Sequence, residues 1–149
     1  MANKPFKIID DLQVGDNVTI DNTTGDITTS GAVASGDATF TSLRETKTAP
    51  AISSGVLTLD CNVGNVFVVS LSEDITSVIF TNVPTDAYGM TLTLVADGTP
   101  RSVVWPASVK WPSGTAPTLT STLNKEDTFV LITDDTGTTW AAAIAGQDR

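Results

Sequence analysis

The chain has 149 residues (15.5 kDa), a formal net charge of −9, a pI near 4.1, no histidine and one cysteine. Without histidine there is no Ser-His-Asp or Cys-His constellation, no His-ligated zinc and no imidazole base near neutral pH. A lone Cys61 supplies neither an intrachain disulfide nor a multi-cysteine metal site, and eight basic residues against seventeen acidic ones leave no basic footprint for nucleic acid or anionic lipid.

The length fits one core with a short appended segment. The start, from Met1 to Asp11, carries no apolar run after its basic residues, and no later stretch approaches the ~20 apolar residues of a membrane span. The expectation is a soluble chain outside the secretory route, without membrane insertion. Threonine makes up about one residue in six, joined by Val, Ile, Ser and Gly. β-branched side chains lose rotamer freedom in helices and pack well on pleated sheets, so the composition predicts an all-β protein with almost no helix. A mean hydropathy of +0.11 is too apolar for disorder. A charged fraction of 17% is low for a free-standing monomer, which points to surface buried between chains.

In chain order, residues 1–48 read as an attachment and β-stalk segment. Alternating runs cover Leu12–Ile20, Thr24–Thr28 and Ser35–Phe40, and Gly-Asp pairs recur at 15–16, 25–26 and 36–37 as turn signals. Each run offers only a thin apolar stripe, so the segment must borrow its core from neighbouring chains. Val18, Ile20, Ile27, Val33 and Phe40 are the residues expected to meet inside a trimeric stalk.

Residues 49–149 read as a compact antiparallel β-sandwich head, jelly-roll-like in topology. Strands are predicted at 56–61, 65–71, 77–80, 90–96, 102–105, 118–120, 128–133 and 139–144. Leu57, Leu59 and Cys61 alternate on one face, as do Met90, Leu92 and Leu94, Phe129, Leu131 and Thr133, and Trp140, Ala142 and Ile144. Turn signals fall at Asn62–Asn65, Pro84–Ala87, Asp97–Pro100 and Asp134–Gly137.

Carboxylates are the only plausible catalytic groups. The pairs Asp10/Asp11, Glu73/Asp74, Glu126/Asp127 and Asp134/Asp135 are adjacent in sequence, and adjacent strand residues point to opposite faces, which suits paired acid–base work poorly. No enzyme and no cofactor are expected. Calcium at Asp134, Asp135 and Thr136 lacks the spacing of a calcium loop, and a hairpin turn accounts for these residues. Two Trp-Pro dipeptides, at Trp105 and Trp111, hold extended backbone. Exposed, their indoles and Tyr88 could stack on sugar rings; buried, they would plug the sandwich or a subunit contact, and their even spacing on one strand face favours burial.

The run from Tyr88 to Gly98, the segment Trp105–Pro112 and the stretch Thr128–Trp140 with its Thr-Asp-Asp-x-Gly-x-Thr-Trp pattern resemble the C-terminal domain of fibre-type structural proteins of tailed bacteriophages, notably marine and cyanobacterial ones. Val14–Ile20 and Gly36–Phe40 are similar to the intertwined β-stalk repeats of such fibres. The resemblance implies a homotrimeric structural protein on the virion surface, either fibre-type or capsid-decorating, in which a β-stalk joins three sandwich heads. Its partners would be other virion proteins of capsid or tail, and a host-surface glycan during attachment. The alternative function is a carbohydrate-binding module with Trp105, Trp111 and Tyr88 as its stacking platform.

Overall fold

The computed structural model describes Val18–Ile20, Ile27–Thr29 and residues 44–149. Two compact units divide the chain, Met1–Ser42 and Leu43–Arg149. In the first, β1 (Val18–Ile20) pairs antiparallel with β2 (Ile27–Thr29), with Val18 opposite Thr29 and Ile20 opposite Ile27. This places Val18, Ile20 and Ile27 on paired strands. Val33, Phe40, the other stalk runs and Asp10/Asp11 lie outside the described residues.

The second unit holds β3 (Lys47–Thr48), β4 (Ile52–Ser53), β5 (Val56–Asp60), β6 (Val66–Ser70), β7 (Ser77–Thr81), β8 (Tyr88–Val95), β9 (Val109–Lys110), β10 (Glu126–Thr133) and β11 (Trp140–Gly146). They form a six-stranded sheet in the order β3-β6-β8-β10-β11-β9 and a three-stranded sheet in the order β4-β5-β7. Among the described residues the one helical element is the 3-10 turn Pro112–Gly114, and no helix is long and apolar enough to cross a membrane. The unit begins earlier than the expected division after residue 48, because Lys47 and Thr48 pair with Val66 and Phe67.

From β5 to β8 the chain alternates between the two sheets at every strand. Strands two apart in sequence therefore become parallel neighbours: β5 with β7, registering Val56 with Ser77, and β6 with β8, registering Val66 with Thr91. A parallel bridge from Ile75 to Val103 continues this winding for one more step. Antiparallel β8–β10 and β10–β11 then complete the larger sheet. The expected all-antiparallel order is thus corrected to a mixed one. Period-two alternation looks the same in both senses, and only the connections decide between them.

Two expected strands do not form. Residues 102–105 contribute only the Val103 bridge, and 118–120 form none. Proline carries no N–H to donate to a ladder, and this region holds Pro100, Pro106, Pro112 and Pro117. Thr120 instead spends its N–H and hydroxyl on a buried carboxylate.

One core lies between the sheets. It takes Leu57 and Leu59 from β5, Phe67 and Val69 from β6, Val78 from β7, Met90, Leu92 and Leu94 from β8, and Phe129 and Leu131 from β10, with Trp140 and Ala142 from β11. Ile144, expected on that face, is exposed near the strand end. Trp105 and Trp111 pack edge-on to each other with centroids 5.1 Å apart, and both meet Phe129 edge-on at 5.8 and 5.4 Å. Around Trp140, Phe80 stacks at 4.5 Å and Tyr88 meets the indole edge-on at 6.3 Å.

Two glycines are needed where the winding is tightest. The β4–β5 hairpin turns on Ser54 and Gly55, both at positive φ, and Gly55 accepts from the N–H groups of Thr76 and Ser77. Positive φ at both central residues is the two-residue hairpin geometry that matches strand twist. At Gly64 a Cβ would stand 2.5 Å from the Thr46 carbonyl oxygen, so only glycine lets the chain entering β3 approach this loop.

Asp127 is the polar tie of the core, 2% exposed. Its carboxylate accepts from the Thr120 N–H at 2.6 Å, the Thr120 hydroxyl at 2.8 Å and the Asp148 N–H at 3.2 Å, binding the long β9–β10 connection and the C-terminal residues to β10. Asp127→Ala leaves three donors without their charged acceptor and should cost about 3 kcal/mol. Asp127→Asn, which keeps one acceptor, should cost less. Chemical denaturation checks both, and an unchanged midpoint for the alanine variant would contradict this role.

Candidate functional site

The alternation that sends Met90, Leu92 and Leu94 inward sends Gly89, Thr91 and Thr93 outward, and the neighbouring strands follow in register. One row across four strands reads Val66, Thr91, Val130, Ala143. The row on one side reads Gly89, Ile132, Ala141, and on the other Val68, Thr93, Thr128. None of these outward residues is charged, in a chain whose net charge is −9. Ile132 keeps 53% of its surface exposed, and Val66, Val68, Thr91 and Val130 are half-buried by their own neighbours.

Charge returns only at the margins. Lys47 registers beside Val66 on β3, and Lys110 registers beside Ala141 on β9. At one end the Arg149 guanidinium bonds Glu126 at 3.1 Å and donates to the Thr128 hydroxyl, which is itself paired with Thr93 at 3.0 Å. An uncharged centre with a charged rim is the anatomy of a protein–protein contact. The sheet edges are closed in contrast, since β3 and β9 are two-residue strands that each carry a lysine, features that discourage edge-to-edge pairing.

The remaining features offer little chemistry. A cleft of about 480 Å³ is lined by Arg44, Glu45, Cys61, Gly64 and Tyr88 among others. The Tyr88 hydroxyl donates to the Gly64 carbonyl at 2.6 Å, and Asn65 donates to Glu45 at 2.6 Å. Burial pushes both the Cys61 thiol and the Tyr88 phenol above their ordinary pKa, so neither ionises readily near neutral pH.

Within the described carboxylate pairs, Glu73, Asp74, Asp127 and Asp135 are occupied in holding loops. Glu73 accepts from the Gly55 N–H at 3.0 Å and Asp74 from the Ser102 N–H at 2.8 Å. Asp135 accepts from the Thr139 N–H at 2.8 Å and the Thr133 hydroxyl at 2.9 Å, organising the β10–β11 turn. Among the described residues no group of three or more His, Cys, Asp or Glu is placed to hold a metal ion.

The three candidate stacking residues do not make one platform. Trp111 is only 8% exposed and surrounds Phe129 with Trp105, whereas Tyr88 packs on Trp140. The two indoles share no strand, because only Val109–Lys110 is extended into the sheet between them. The outward rows are inconspicuous in the sequence because alternation shows most clearly in its apolar phase. Their signal is present in the opposite phase, where no position from Thr91 to Thr93 on β8 or Thr128 to Ile132 on β10 is charged.

The chain matches no protein-family model, no curated protein and no solved structure.

The cleft generates one expectation and the turns another. Cys61 should resist a thiol reagent at pH 8 in the native protein and react at once in denaturant; rapid native labelling would contradict its burial. Three carboxyls sit below their ordinary 3.8: Asp60 through the Asn82 amide, Asp97 through the Arg101 guanidinium and Asp135 through the Thr139 N–H. A depressed folded pKa gives stability that is complete above the unfolded value and is lost as pH falls through the folded one. Thermal stability should therefore drop below about pH 4, and Asp135→Asn should flatten that acid limb. An acid limb unaltered in the variant would exclude Asp135 as a contributor.

Proposed function

We propose that this chain is a non-enzymatic virion structural protein of a tailed bacteriophage, working as a homotrimeric surface appendage of fibre or capsid-decorating type. The residues ahead of the head unit, 1–42, supply attachment and an interchain β-stalk, and the rest forms a sandwich head that contributes to host-surface attachment. The observation carrying the assembly part is the uncharged outer face of the six-stranded sheet on a strongly acidic chain. The virion part is supported by the likeness of Tyr88–Gly98, Trp105–Pro112 and Thr128–Trp140 to phage fibre domains.

A structural role is consistent with how the polar residues are spent. Glu73, Asp74, Asp127 and Asp135 all brace backbone rather than converge on a cleft. The carbohydrate-binding alternative is the weaker reading, since Trp111 is buried and Tyr88 lies against Trp140.

Sedimentation equilibrium of the full chain tests the assembly. The expected mass is about three times that of one chain, and the melting temperature should rise with protein concentration wherever unfolding is reversible, because association is linked to folding by mass action. A stable folded monomer at micromolar concentration would overturn the proposal. The location is tested separately by antibody labelling of purified virions of a phage encoding the chain, and unlabelled particles would contradict it.

A further inference from the structure

We infer that the outer face of the six-stranded sheet, centred on Val66, Thr91, Val130 and Ala143, is where the heads of neighbouring copies of this chain meet; the inference rests on the homotrimer reading and adds the surface that performs it. A face without charge gives an ionic partner nothing to pair with at its centre. A second copy, by contrast, brings an equally uncharged face and leaves its own carboxylates outside the contact. Of the four basic residues beyond residue 48, Lys110 and Arg149 border this face. Arg149 is paired there with Glu126 at 3.1 Å, so the margin carries both signs while the centre carries none.

The dimensions fit three copies. Four strands spaced ~4.8 Å apart give a face roughly 19 Å wide. Three such faces around a threefold axis would each stand about 5.5 Å from it, close to half the ~10 Å that separates packed sheets. Side chains the size of Ala, Val and Thr fill that depth, and the rows supply those sizes. The face measures on the order of 400 Å² per copy and is shared between two neighbours, below the ~500 Å² per partner at which a specific contact begins. It would therefore work together with a contribution from the N-terminal segment.

The test introduces a charge at the centre of the face in the full chain. Ala143→Glu and Val130→Lys place it on two different strands, and Thr58→Lys on the exposed outer face of the three-stranded sheet is the control. Circular dichroism confirms folding, and sedimentation equilibrium reads assembly. Because an unpaired charge in a closed contact is strongly unfavourable, the first two variants should weaken association by roughly 100-fold or more, with Thr58→Lys unchanged. Should one variant fail to fold, the other still decides. If the unmodified chain is trimeric and both face variants remain equally trimeric, this face is not the contact, and the homotrimer reading survives. If the unmodified chain is itself monomeric, the homotrimer reading fails and the inference falls with it.

Discussion

The pairing of β8 with β10 over eight registered positions is the interaction on which the rest of the head depends. Its inward phase sets Leu92 against Phe129 and Met90 against Leu131, which closes the core over Leu57 and Leu59. Its outward phase sets Thr91 against Val130 and Gly89 against Ile132, which makes the uncharged face. Side chains alternate with a period of two, so a one-residue slip would exchange these phases and expose the core set. Asp127 at one end of β10 and Thr133 at the other anchor the strand's ends to the adjoining loops. The first binds Thr120 and Asp148, and the second accepts from the Gly137 N–H at 3.0 Å.

The winding of β5 to β8 explains how a small unit buries a contiguous core with few antiparallel connections. Each passage from one sheet to the other puts new apolar residues on the opposite wall, so Leu57 and Leu59, then Phe67 and Val69, then Val78, then Leu92 and Leu94 face a shared interior. The cost is paid at the corners, where backbone groups need partners. Glu73 on Gly55, Asp74 on Ser102 and Asp60 on Asn62 supply them. Residues that look catalytic in isolation are consumed by this need.

Much of the strand pattern was legible in the sequence, and the reasons for the misses are particular. Leu57-x-Leu59, Met90-x-Leu92-x-Leu94 and Phe129-x-Leu131 announced buried strand faces because alternation is a direct consequence of the pleat. The sense of pairing was hidden, since Val56–Asp60 would read identically beside an antiparallel neighbour. The Ser54-Gly55 hairpin went unread although a Ser-Gly pair is a turn signal. Trp105 and Trp111 did end in contact, but through the irregular segment around β9 rather than a common strand. The uncharged outer face was the least visible feature, because Thr, Val and Ala in the outward phase look like any solvated strand until the neighbouring rows are assembled in register.

In the proposed assembly, a face open on one chain is closed by its neighbours. Hydroxyl-radical footprinting of the full chain in solution, read residue by residue, tests this with controls inside the same molecule. Ile132 lies on the face and is 53% exposed in a single chain, whereas Leu123 lies off it and is 61% exposed. Strong protection of Ile132 and Val130 beside ready oxidation of Leu123 and Val104 is the expected result. Oxidation of Ile132 at a rate close to that of Leu123 would contradict it.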